Sequence, residues 1–147
     1  MEYLGKLLGS LALLLKLISV ELPDINENNF LHSCVVKHMM HGSCGELNLK
    51  NVCMEKKGTC KNHYPRLFCS ETRKGENSYL IYRRRDNDQK VKVRGHYLDN
   101  QWVIPYNPYL LSKFDCHLNV KVCSTIKAVK YLYKYIYIKV MIKFFFI

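Results

Sequence analysis

At 147 residues the chain is long enough to bury one sizeable core, so disulfide staples are not required for it to fold. With 24% charged and 48% hydrophobic residues it has the make-up of a globular protein, which excludes a disordered tail. A formal charge of +11 excludes an electrostatically neutral surface, and that excess must face solvent or an anionic partner.

The chain divides into an N-terminal apolar helix and linker (1–27), a helix followed by a Cys/His-rich stretch (28–69), a β-rich stretch ending in a tyrosine-bearing helix (70–139), and a terminal tail (140–147). Residues 7–20 are apolar but interrupted by Lys16, and fall short of the roughly 20 residues that a membrane span needs. Export would call for a small-residue cleavage site before Glu21, and an odd seven cysteines suit a disulfide framework poorly. The expectation is an amphipathic or core helix, no membrane contact, and a nuclear or otherwise intracellular, reducing compartment. A secreted or membrane-tethered small protein is the contrary reading.

Asn28 or Asn29 can cap a short helix in which Leu31, Cys34, Val35, His38 and Met39 recur at helical spacing until Gly42. A loop-like stretch runs on to about Cys69. Residues 79–84 and 91–94 are β-prone, and Asp86-Asn87-Asp88 between them predicts a hairpin. A third β-prone run, 102–104, ends at Pro105, and Asn107-Pro108 predicts a further turn. From 114 to 122 apolar and polar residues alternate, which predicts a half-buried strand. Ser124 then caps a helix with Ile126, Val129, Tyr133, Ile136 and Val140 on one face, and Lys127, Tyr131, Lys134 and Tyr135 on the other. The sum is an α+β fold. The run 140–147 has neither alternation nor a cap.

Two constellations carry chemistry. His41, Cys44, Cys53 and Cys60 follow H-x2-C-x8-C-x6-C, with His38 and His63 as substitutes; thiolates and imidazole at such spacing suit a tetrahedral structural zinc, and ordinary buried cysteines are the alternative. Cys34, Cys69, Cys116 and Cys123 read as core cysteines. Cations form the second constellation: Arg83, Arg84 and Arg85 with Lys90, Lys92 and Arg94, and then Lys121, Lys127, Lys130, Lys134, Lys139 and Lys143 among tyrosines. Clustered cations interleaved with aromatics are what a nucleic-acid strand selects, against the alternative of a solvated basic face.

The runs KHMMHGSCG (37–45), YRRR (82–85), LDNQWVIPYNPYL (98–110) and IKAVKYLYKY (126–135) resemble, in order and spacing, the Rep region of Helitron-type Rep-helicase transposon proteins. The resemblance spans about residues 18–137. It implies a fragment of an HUH-type Rep nuclease fold: a β-hairpin, a Cys/His-rich loop region, and a terminal strand feeding the tyrosine helix. It implies a parent that unwinds DNA and nicks and joins it through a 5′-phosphotyrosine, with a divalent cation (Mg or Mn) held by a histidine pair. The nucleophiles map onto Tyr131 and Tyr135, with Lys134 between them, and DNA, single-stranded, would meet Arg83, Arg84, Arg85, Lys92, Arg94, Lys127 and Lys130. Residues four apart on a helix have Cβ atoms roughly 5–6 Å apart, so two phenols could serve one phosphate in turn.

The chain departs from the family in two respects. None of its six histidines forms a His-x-His pair, and no GxxxxGK[ST] loop is present, Gly58-Thr59-Cys60-Lys61 being no substitute. Whether the chain is an enzyme is therefore left open, with the expectation that it does not cleave DNA alone. The alternative is a zinc-stabilised nucleic-acid-binding module without catalysis. Oligomeric state is not written in the sequence.

Overall fold

A computed structural model describes residues 17–55, 58–75 and 80–120. Within them the fold is a small mixed α+β arrangement of two helices and two short antiparallel ribbons. The Asn28 side chain accepts from the Leu31 amide at 2.9 Å and starts helix α1, Asn29–His38. Its buried positions, Leu31, Cys34 and Val35, have the i, i+3, i+4 spacing of one helical stripe. The helix ends at His38, before Gly42, and Met39 closes it with a hydrogen bond from its backbone N–H to the Val35 carbonyl.

The predicted hairpin between 79–84 and 91–94 does not form. Strand β1, Arg73–Lys74, pairs with β2, Leu80–Ile81, whereas β3, Val91–Val93, pairs with β4, His96–Leu98. The turn that makes β3–β4 is Arg94-Gly95, both at positive φ (49° and 88°), the two-residue geometry that matches strand twist. The run at 102–104 is the end of a 3-10 turn, Asn100–Trp102, followed by an isolated bridge from Val103 to Met40.

Asn107-Pro108 is a helix start and not a turn. The Asn107 carboxamide accepts from the Leu110 amide at 2.8 Å, Pro108 occupies the first turn where no amide hydrogen is needed, and α2 spans Pro108–Phe114. The strand predicted from 114 is accordingly absent over its described part, 114–120. Asp115 caps α2 in the left-handed region at φ 41° and ties the helix to α1 through Lys37 (3.0 Å) and His38 (2.9 Å). His117 then reaches the His38 carbonyl at 2.8 Å, so the segment crosses the end of α1 instead of joining a sheet. The tyrosine helix, the lysine ladder and the tail lie outside the described residues. So does the N-terminal apolar segment up to residue 16; beyond it, Ser19 makes an antiparallel bridge with Tyr106. No described helix is long and apolar enough to cross a membrane.

Two cores result. The first joins Leu22, Leu31, Cys34, Val35, Met39, Val103, Tyr106 and Leu111. The second contains Cys44, Cys53, Cys60, Leu98 and Trp102, and Met40 packs against both. Residues 102–106 hold them together: His41 donates to the Trp102 carbonyl (2.8 Å), Ile104 to the Met39 carbonyl (2.7 Å), and the Tyr106 hydroxyl to the Glu21 carbonyl (2.8 Å).

Glu21 closes the fold on its other side. Its carboxylate, 9% exposed, receives the Arg85 amide (2.9 Å) and guanidinium (2.8 Å) and the Arg83 guanidinium (3.2 Å). Burial pushes its pKa up, but the Arg85 hydrogen bonds and the two guanidinium charges outweigh that and hold it below the ordinary value of 4.5. A lowered carboxylate pKa stabilises the fold above 4.5, and that stability is lost as pH falls through the lowered value. Glu21→Gln should therefore flatten the acid side of the stability profile relative to the parent chain. Melting both proteins across a pH series tests this; parallel acid limbs would rule it out.

Candidate metal centre

The cysteine-rich loop is short of regular structure but rich in local bonds. Met54 bridges Cys60, Glu55 donates to Thr59 (2.8 Å), and Lys61 donates to the Cys53 carbonyl (2.9 Å), which brings the two cysteines of this turn side by side. The first arm of the loop is fastened separately. Gly45, at φ 66°, lets the chain reverse directly after Cys44, and the Asn51 side chain donates to the Ser43 carbonyl at 2.7 Å. His41 is fixed just past α1 by the hydrogen bond from its backbone N–H to the Trp102 carbonyl.

These constraints converge on one point. One ligand atom from each of His41, Cys44, Cys53 and Cys60 lies within 4.8 Å of the others. The His41 Nε2 and Cys60 Sγ are 3.5 Å apart. A tetrahedral zinc, with Zn–S of about 2.3 Å and Zn–N of about 2.0–2.1 Å, has S···N edges of about 3.5 Å and S···S edges of about 3.8 Å. The His41–Cys60 edge already has the tetrahedral length, and the other edges, all within 4.8 Å, would shorten by at most about 1 Å around an ion.

The donor chemistry fits as well. The three cysteines are 1–7% exposed. Burial, reinforced by Cys60 and Cys53, pushes the Cys44 thiol up to about 12, and burial likewise raises Cys53. Cys60 is the exception: burial raises it, but the Tyr64 and Asn62 amides directed at its sulfur, helped by the other two thiols, hold it below the usual thiol value. Cys60 therefore gives up its proton more readily than Cys44 or Cys53, and three thiolates together would need a cation among them. Burial, and then the Arg66 charge, also hold His41 below its ordinary value, keeping the imidazole neutral with a lone pair to give.

The ring of His41 is oriented by aromatics. It stacks on Tyr64 (centroids 4.1 Å, 16° between planes) and lies nearly parallel to Trp102 (6.3 Å, 11°). Neither ring is recognisable in the sequence as part of the site, because stacking partners have no fixed spacing from a ligand. The proposed substitutes stay out of it: His38 binds Asp115, and neither His38 nor His63 belongs to the converging group. Of the remaining cysteines, Cys34 is buried as expected, Cys69 is half-buried, Cys116 is exposed, which corrects its reading as a core residue, and Cys123 lies outside the described residues.

Among the described residues the predicted nucleic-acid contacts separate into three groups. Arg83 and Arg85 are more than half exposed but share Glu21. Arg84 is 4% exposed, with its guanidinium on the carbonyls of Val20, Asn100 and Val103, so it faces the protein and not a strand. Lys92 and Arg94 are exposed on the β3–β4 ribbon, and a Cβ at Gly42 would come within 3.4 Å of the Arg94 guanidinium, which sets this cation beside the metal loop. Lys127, Lys130, Tyr131, Lys134 and Tyr135 lie outside the described residues. Neither a protein-family model nor a curated protein sequence matches the chain.

Proposed function

We propose that this chain is a zinc-stabilised module that binds single-stranded DNA, a fragment of a Helitron-type Rep-helicase protein. The observation that carries the reading is the convergence of His41, Cys44, Cys53 and Cys60 inside a chain of net charge +11. Four protein ligands leave a zinc ion no open position, so its part is to tie the loop to the second core and not to activate water. Clustered reduced thiols accord with a nuclear or otherwise intracellular setting.

DNA binding would then fall to cations outside ion pairs, including Lys92 and Arg94 among the described residues, together with Lys127 and Lys130. In the complete parent, Tyr131 and Tyr135 would attack the scissile phosphate, with Lys134 between them and a Mg or Mn ion on a histidine pair that this chain lacks. The zinc-loaded protein is expected to bind a labelled single-stranded oligonucleotide with an affinity that falls steeply with salt, because each phosphate neutralised releases counterions. Lys92→Ala with Arg94→Ala should shallow that dependence by about 0.7 for each phosphate no longer neutralised. The strand should stay intact when Mg or Mn is added. Salt-independent binding, or none, would rule out phosphate contact, and cleavage by the chain alone would contradict its reading as an incomplete nuclease.

A further inference from the structure

The His41 stack does not end at Tyr64. The Arg66 guanidinium lies over the Tyr64 ring, 5.3 Å from its centroid, so that ring contacts link Arg66 to Tyr64, Tyr64 to His41 and His41 to Trp102, a column of contacts from an exposed cation to a buried indole. The column is fastened along its length. The Arg66 amide donates to the Gln101 carbonyl at 3.0 Å, His41 donates to the neighbouring Trp102 carbonyl, and Trp102 is 6% exposed within the second core.

Arg66 differs from the arginines at 83–85 in what surrounds it. Those three are committed, two to Glu21 and one to buried carbonyls. Among the described residues no carboxylate pairs with Arg66, which is itself exposed and is followed by Leu67 at 85% exposure. An arginine held from one side by an aromatic ring presents a flat cation whose donors can reach a phosphate while its face receives a base. The support beneath it lowers the ordering cost that a free arginine would carry.

We infer that Arg66 is a base-stacking residue: its guanidinium, seated on Tyr64, takes the face of one base of a single DNA strand. This rests on the nucleic-acid reading above and adds to it the requirement for a base, which phosphate contact alone does not have. It also couples the strand to the metal loop, since the third member of the column is a ligand of the centre.

The test uses the zinc-loaded full chain, a short oligodeoxythymidylate, and an abasic strand of equal length and charge. The wild-type protein should prefer the base-bearing strand by roughly tenfold, toward the lower end of what one stacked base contributes. Arg66→Lys keeps the charge but loses the flat face, and should abolish that preference while leaving zinc content and abasic-strand affinity unchanged. Equal affinity of the wild-type protein for the two strands would overturn the inference and leave the nucleic-acid reading standing. So would a preference that survives in Arg66→Lys. Failure of the wild-type protein to bind either strand would overturn both.

Discussion

Isolated under reducing conditions, the protein is expected to carry one zinc ion per chain, and withdrawing that ion is expected to unfold the second core. Three of the five fully buried residues of that core are the candidate ligand cysteines, so without a metal its buried centre keeps only Leu98 and Trp102 as large apolar groups, with Met40, Met54, Tyr64 and Val93 at its margin. Structural zinc contributes roughly 10–16 kcal/mol of apparent binding free energy at neutral pH. A domain of this size has only about 5–15 kcal/mol of net stability. Metal loss is thus comparable with the whole of the stability, far beyond the 0.5–3 kcal/mol or so that a typical substitution costs. Elemental analysis should give a ratio near one zinc per chain, and a chelator should abolish the cooperative melt. The single tryptophan reports directly, because Trp102 stacks near His41 and its emission should shift to the red as the core opens. Cys53→Ser should behave like the chelated protein, whereas Cys116→Ser, at an exposed position, should not. An unchanged melt after chelation would end the structural-zinc reading.

How far the sequence foretells this depends on whether the deciding interaction is local. Helix α1 is legible because its cap, Asn28, and its apolar stripe lie within eleven residues of one another. That His41, Cys44, Cys53 and Cys60 come together is legible for a similar reason: residue type and short spacing restrict such a cluster more than any tertiary contact does. The hairpin is misplaced because Asp86-Asn87-Asp88 has stronger turn formers than Arg94-Gly95, yet Gly95 supplies the positive φ that a two-residue turn requires. Helix α2 escapes a sequence reading where two patterns overlap. Asn107-Pro108 fits both a turn and a capped helix start, and the alternation from 114 onward favours a strand until Asp115, bonded to Lys37 and His38 on another helix, fixes the chain direction. No local pattern predicts that contact, because its two sides are 77–78 residues apart.

Arg84 shows the same limit more sharply, and the second large effect follows from it. In composition nothing separates it from Arg83 and Arg85. Yet the bridge between Cys69 and Arg84 makes the backbone there extended, so successive side chains point to opposite sides. Arg83 and Arg85 turn to Glu21, and Arg84 turns inward to the carbonyls of Val20, Asn100 and Val103. Beside it Asn100, 1% exposed, accepts from the Leu22 amide (2.7 Å) and donates to the Arg85 carbonyl (2.8 Å), so the two side chains knit residues 20–22, 84–85 and 100–103 together. Burial depresses the Arg84 pKa to about 10, which leaves the guanidinium charged at neutral pH. Removing a buried partner leaves the opposing polar groups desolvated at about 1–3 kcal/mol each, and breaking a buried charged network typically costs about 3–5 kcal/mol. Arg84→Ala should therefore destabilise the protein by roughly 3–5 kcal/mol in chemical denaturation. Arg83→Ala, which leaves Glu21 with Arg85, should cost about 1 kcal/mol or less. If the three arginines instead formed one DNA-binding patch, the two substitutions would lower strand affinity alike and leave the denaturation midpoint nearly unmoved.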